Sequence, residues 1–203
     1  MTNVPKARVL SKKRAFQGYH ALDVFDLEHD SLQPGAPPVK LQREVLNGAM
    51  VACILPYIPE TDELLLNQQF RVGAFLMEEP NPFLYECAAG AVDDGETPEQ
   101  AARRECLEET GCTVVDIEFI GICYPSPGSM DAKFYLYLGR VEKATPGYFG
   151  FVDEGEEIKT HLLPAAAVID MLDRNEINNA ATMISVHWFS RHHQRLRQKW
   201  LKK

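Results

Sequence analysis

Five glutamates crowd one short stretch of the chain, Glu96, Glu99, Glu105, Glu108 and Glu109, interrupted only by Arg103 and Arg104 among charged residues. On a helix, Glu105 and Glu109 share a face and Glu108 adjoins it. Like charges at that spacing weaken a helix by about 0.2–0.5 kcal/mol per pair. A divalent cation reverses the cost, because hard cations take carboxylate oxygens as ligands. Arg104, four residues before Glu108, is placed to neutralise or orient it. Taken alone, the helix also fits a plainer reading, a solvated acidic face with arginine partners. A second acidic run, Asp153, Glu154, Glu156 and Glu157 around Gly155, reads either as a solvated loop or as further carboxylates for the same chemistry.

These residues need elements to hold them. Thr97 as N-cap, Pro98, Gln100 completing a capping box and Gly111 as a left-handed stop predict a helix over 98–110. A hairpin is predicted from strands 51–57 and 63–70 turned at 59–62, followed by a third strand over 83–92. Two more strands, 113–124 and 133–141, are joined through Ser126, Pro127 and Gly128. Gly147, Gly150 and Gly155 lie in a loop free to close on a ligand. A strand over 157–163, a helix opened by Pro164 and a long helix from Asn179 complete the chain. Residues 7–47 read as strands, including 19–28 and 40–46, with a loop at 33–38. Strands clustered with only three helices predict a layered α/β (α+β) fold rather than regular βαβ alternation.

Composition bounds the function. The 203 residues are 45% hydrophobic and 25% charged, as in an ordinary globular chain. A formal charge of -8 argues against a nucleic-acid partner. The longest apolar run, Ala49 to Leu55, is too short to span a bilayer. The basic start has no apolar stretch behind it, so a cytoplasmic location is expected. The five cysteines, Cys53, Cys87, Cys106, Cys112 and Cys123, are read as reduced and mostly buried.

From Gly90 the chain runs Gly90, five residues, Glu96, seven residues, Arg104-Glu105, Cys106, one residue, Glu108-Glu109, one residue, Gly111, Cys112. This resembles the Nudix box, G-x5-E-x7-R-E-U-x-E-E-x-G-U, at all seven fixed positions. Cysteine stands at both U positions, where the family carries bulkier aliphatic residues. Chance agreement anywhere in a chain of this length is on the order of one in a million. Flanking segments, namely 54–57, Gln68 to Arg71, Glu86 before 88–90, Ser126 to Gly128 and 178–180, resemble the ADP-ribose pyrophosphatase branch over most of the chain.

That resemblance implies a Nudix α/β/α sandwich with a mixed β-sheet and an N-terminal β-strand extension. It divides the chain into 1–47, a strand region exchanged between the subunits of a homodimer, and 48–203, the hydrolase domain. It implies Mg2+ (or Mn2+), two or three ions, held by Glu105, Glu109, Glu156 and the carbonyl of Ala89. Glu154 is implied as the base that activates water, with Glu108 and Arg104 completing the catalytic group; Glu96 and Arg104 join the loop to the helix. Arg71, Glu86, Ser126 and Gly128 are implied as substrate contacts. The acidic residue that usually follows the Ser-Pro-Gly turn is displaced, with Asp131, Ala132 and Lys133 in its neighbourhood. The implied substrate is therefore ADP-ribose or another small-molecule nucleoside diphosphate sugar, GDP-mannose included. A nucleotide-sensing module without catalysis is the alternative of a different class. Tyr19, Phe25 and Phe70 are expected in the core, with base stacking as the alternative. His187, His192 and His193 are expected at a surface or interface, and Trp188, Leu196 and Trp200 as core or dimer contacts.

Overall fold

The computed structural model describes residues 4–150 and 155–202. The chain forms two compact units, Met1–Ala49 with Tyr124–Lys133, and Met50–Cys123 with Phe134–Lys203.

In the first unit, β1 (Ala7–Gln17), β2 (Ala21–His29) and β3 (Val39–Leu46) make an antiparallel sheet in the order β1-β2-β3. Strand β1 is exposed along its whole length. Asp23 on β2 is fully buried. It survives there because Arg14 forks onto it and Lys12 Nζ lies 2.9 Å away. Hydrogen bonds from Arg14, then Lys12, hold its carboxyl down to about 2. The Ser126–Gly128 turn belongs to this unit. Ser126 Oγ lies 2.8 Å from Ser129 Oγ, and the Ser129 carbonyl accepts from Leu46 N–H. Asp131 is spent on the backbone, where its Oδ1 accepts from Gly48 N–H. A side chain on Gly48 would strike Ala132, its Cβ only 2.7 Å from the Ala132 Cβ.

The second unit holds β4 (Met50–Ile58), β5 (Glu63–Phe70), α1 (Val72–Leu76), β6 (Phe83–Glu86), β7 (Ala88–Ala91), α2 (Pro98–Thr110) and β8 (Asp116–Cys123). After these come β9 (Lys133–Arg140), which starts at the last residue of the first unit, β10 (Tyr148–Phe149), β11 (Ile158–Pro164), α3 (Ala165–Asp173) and α4 (Ala180–Leu201). The sheet order is β10-β11-β5-β4-β9-β8. Strands β4 and β9 run in the same sense: Lys133 N–H bonds the Ala49 carbonyl at one end and Val141 N–H bonds Tyr57 at the other. The other neighbours run antiparallel, so the sheet is mixed.

One expected strand is two. Strands β4 and β5 pair only beside their hairpin, at Tyr57↔Leu64 and Ile58↔Glu63, and then separate. The segment predicted as 83–92 crosses between them. Its first half pairs with β5 and its second with β4, with the change at Cys87. Helix α1 escaped the sequence reading because it is five residues long and has no side-chain cap.

Alternation along the strands builds two cores. Cys53, Leu55, Tyr57, Leu64, Leu66, Leu136 and Leu138 pack with Val168, Phe189 and Trp200 of α3 and α4. Ala52, Ile54, Leu65 and Tyr137 pack with Ala101, Ala102 and Cys106 of α2. Helices therefore cover both faces, the expected α/β/α sandwich. Both cysteines at the bulky box positions are buried.

The hairpin tip fastens α4. Asp62, at φ +61, accepts from Tyr57 Oη at 2.7 Å and Arg197 Nη1 at 3.2 Å, and pairs with His193 Nε2 at 2.5 Å. His193 is thus an internal tie and not a free surface residue. Trp200 is core, its Nε1 donating to Asp116 Oδ2. Tyr19 is fully exposed and Phe70 half-exposed, so neither is a core residue.

Replacing Asp23 with Asn tests the buried carboxylate. A carboxyl held below its ordinary value stabilises the fold above that ordinary value and loses the effect as pH falls through about 2. Asp23→Asn is expected to melt below the parent protein at pH 7, with the gap closing toward pH 2. An equal gap at both ends would contradict this, as read by circular dichroism melts across pH.

Candidate metal centre

Helix α2 forms where its end signals place it. Thr97 Oγ1 accepts from Gln100 N–H and Gln100 Oε1 accepts from Thr97 N–H, with Pro98 in the first turn. Gly111, at φ +67, ends the helix by donating to the Leu107 carbonyl. Against the sheet, the 105/109 face turns inward. Glu109 is 8% exposed and Glu105 largely covered, while the Glu108 side chain keeps 42% of its surface. A solvated acidic face does not describe Glu105 and Glu109.

Arg104 joins the loop to the helix. It meets Glu96 through two bonds of 3.1 and 3.0 Å, reaches Glu105 at 2.5 Å and Glu108 at 3.0 Å, and donates to the Ala91 carbonyl at 2.9 Å. The same guanidinium holds the Glu96 carboxyl below its usual range. Gly90 lies under Glu105. A Cβ at Gly90 would come within 1.9 Å of Glu105 Oε1.

Glu109 is bonded from the sheet. Its Oε2 accepts from Asn67 Nδ2 at 2.7 Å and from Ala89 N–H at 3.0 Å. Burial pushes its carboxyl up to about 8; the Ala89 bond opposes this, and the charges of Glu105 and Glu156 add to it. Burial raises Glu105 as well, with Arg104 opposing and Glu108 and Glu156 adding. Glu156 is held by Gln69 Nε2 at 3.2 Å.

Glu86 is buried at the strand change. Arg71 forks onto it with three contacts of 2.5 to 3.1 Å, and Asn179 Nδ2 donates to it at 2.9 Å. Asn179 also caps α4 through Thr182, whose Oγ1 accepts from Cys87 N–H at 2.9 Å. Arg71 keeps nearly half its side chain in solvent.

The second unit thus brings together Arg71, Glu86, Ala89, Arg104, Glu105, Glu108, Glu109 and Glu156. Glu154 lies outside the described residues. Ser126 and Gly128 sit in the turn of the first unit. The sequence reading gives Asn67, Gln69 and Asn179 no role in the site, marking Asn179 only as the start of the last helix. Their partners lie 42, 87 and 93 positions away, so no local pattern marks them.

The donors are carboxylate oxygens, as Mg2+ or Mn2+ requires. The charges of Glu105 and Glu156 raise Glu109, a repulsion that a cation would relieve, and Asn67 Oδ1 is buried with no partner among the described residues. The residues therefore fit a divalent ion in kind. Among the described residues, no three acidic, histidine or cysteine side chains form an enclosing set as they stand. Gly90→Ala should leave the fold intact, because the colliding atom ends a flexible side chain, yet displace Glu105. Mn2+ titration should then show about tenfold weaker binding at an unchanged ion-free melting point. Unchanged Mn2+ affinity would contradict the role assigned to this glycine.

The NUDIX domain family model matches residues 49–186. ADP-ribose pyrophosphatase of Escherichia coli (strain K12) is 31% identical over 193 residues, covering 95% of this chain and 91% of that protein. The ADP-ribose pyrophosphatase of Haemophilus influenzae is 29% identical, covering 95% and 89%. GDP-mannose pyrophosphatase of Cronobacter sakazakii is 30% identical, covering 78% and 83%. The crystal structure of an ADP compounds hydrolase matches with a TM-score of 0.70 at 20% identity, over all of this chain and 97% of that one, and speaks for the fold. With its box buried against the sheet as described, and with the family matched over more than half its length, the chain belongs to the NUDIX domain family of hydrolases.

Proposed function

We propose that this protein hydrolyses the diphosphate bond of ADP-ribose, giving AMP and ribose 5-phosphate, with Mg2+ or Mn2+ as two or three ions. The observation that carries the reading is the buried Glu109 with the largely covered Glu105, beside Arg71 and Glu156. Carboxylates crowded away from water have no use in folding, and the curated relatives reported above carry the names of diphosphate hydrolases. Glu105, Glu109, Glu156 and the Ala89 carbonyl hold the ions. Bound there, the ions supply the positive charge that polarises the diphosphate. Glu154 takes the proton of the attacking water as its oxygen bonds to phosphorus and the bridging P–O bond breaks. Arg104 keeps Glu105 and Glu108 in place. Arg71, pinned by Glu86, offers the exposed part of its guanidinium to the substrate's phosphate or ribose. The family resemblance adds Ser126 and Gly128 as further substrate contacts.

A nucleotide sugar such as GDP-mannose is the second reading. Asp131, near the place where the branch has its acid, is committed to Gly48 N–H. For assembly, we propose a homodimer through residues 1–47. Strand β1, exposed throughout and carrying Val9, Leu10 and Phe16 at its surface, supports this. No helix among the described residues is long and apolar enough to cross a membrane, and we place the protein in the cytoplasm.

ADP-ribose is expected to yield AMP in Mg2+ and nothing in EDTA. Glu109→Gln should lower kcat by at least about a hundredfold. Full activity of the variant, or activity without divalent ions, would sink the assignment. Ranking nucleotide sugars by kcat/KM separates the two substrate readings, and tight binding without turnover at any ion concentration would favour a sensor.

A further inference from the structure

Asn67 is out of place for a strand interior. It lies on β5, only 3% exposed, opposite Glu86 of β6 and Thr160 of β11. Leu65, two residues earlier on the same face, is ordinary core. An apolar residue at 67 would continue that core, whereas asparagine is depleted in strands and costly to bury unless fully bonded. Here it is only half bonded. Nδ2 donates to Glu109 Oε2 at 2.7 Å, and Oδ1 is buried with no partner among the described residues. The amide's orientation follows from chemistry: Oε2 accepts from Ala89 N–H, and an amide oxygen facing it would set two acceptors against each other. Both bonds to Glu109 fall on Oε2, so Oε1 carries no hydrogen bond among the described residues.

We propose that Asn67 is a positioning residue for the cation site. Its amide N–H holds Glu109 by one oxygen and leaves the other for the ion. Its unpartnered Oδ1 accepts a hydrogen bond from water that the ion carries in. The side chain is thereby complete only in the loaded protein, which accounts for a buried acceptor that no described residue satisfies. This inference rests on the metal-centre reading of the preceding subsection.

The test needs no nucleotide. Free Mn2+ is followed by its electron paramagnetic resonance signal while wild type, Asn67→Leu and Asn67→Ala are titrated, and each protein's ion-free melting point is measured alongside. Leucine removes both polar contacts at similar volume; alanine cannot overpack. Both variants are expected to bind Mn2+ about tenfold or more weakly, with the ion-free melting point of at least one unchanged. Wild-type affinity in either well-folded variant would overturn the proposal. So would affinity lost only in step with the melting point in both, since that marks a purely structural residue. If wild type itself binds no Mn2+, the metal-centre reading fails first, and the role of Asn67 falls with it.

Discussion

A carboxylate removed from water must find hydrogen bonds or a cation, and Glu109 is where this protein meets that constraint. Its position on the inner face of α2 brings it to β5 and β7, where Asn67 and Ala89 supply two donors to one oxygen. Two bonds do not offset the burial, which is why its carboxyl stays well above the ordinary range. Much of the surrounding architecture serves that glutamate. Gly90 makes room for Glu105 beside it, and Arg104 restrains Glu105 from the loop side. The small residues Ala101, Ala102 and Cys106 are what α2 presents to the sheet.

The separation of β4 from β5 is the second structural requirement. Had the two stayed paired, no strand would enter between them. Because they part, one segment leaves β5 and joins β4 at Cys87. That change puts Glu86 and Ala89 on opposite sides of the switch. The start of α4 is tied to the same point: Thr182 takes the Cys87 N–H, and Asn179 both caps the helix and bonds Glu86. The start of α4 and the ion pair between Arg71 and the buried Glu86 are thus coupled through one asparagine.

The larger part of the fold was legible before any coordinates, for reasons that can be named. Helix α2 carried a capping box and a glycine stop, which are local bonds between near neighbours. The sandwich of layers followed from the family resemblance, whereas the division of β4, β5 and β9 between two cores was not legible, because their apolar runs are continuous and both faces are buried. The misreadings share one cause. The strand at 83–92 was locally continuous and was divided by distant partners. His193 looked like one of three surface histidines until Asp62, 131 positions away, claimed it. Tyr19 and Phe70 looked apolar enough for a core that the tertiary fold did not extend to them.

Sequence alone determined the chemistry of this protein. The spacing from Gly90 to Cys112 named the family, because a helix turns a fixed interval into a fixed face. Tertiary structure decided the state of those residues. Which glutamate is buried, and that Asn67 and Gln69 supply the opposing contacts, depend on strands remote in the chain. Burial and its electrostatic cost come from what packs against a side chain, and only the folded sheet brings that surface to the helix.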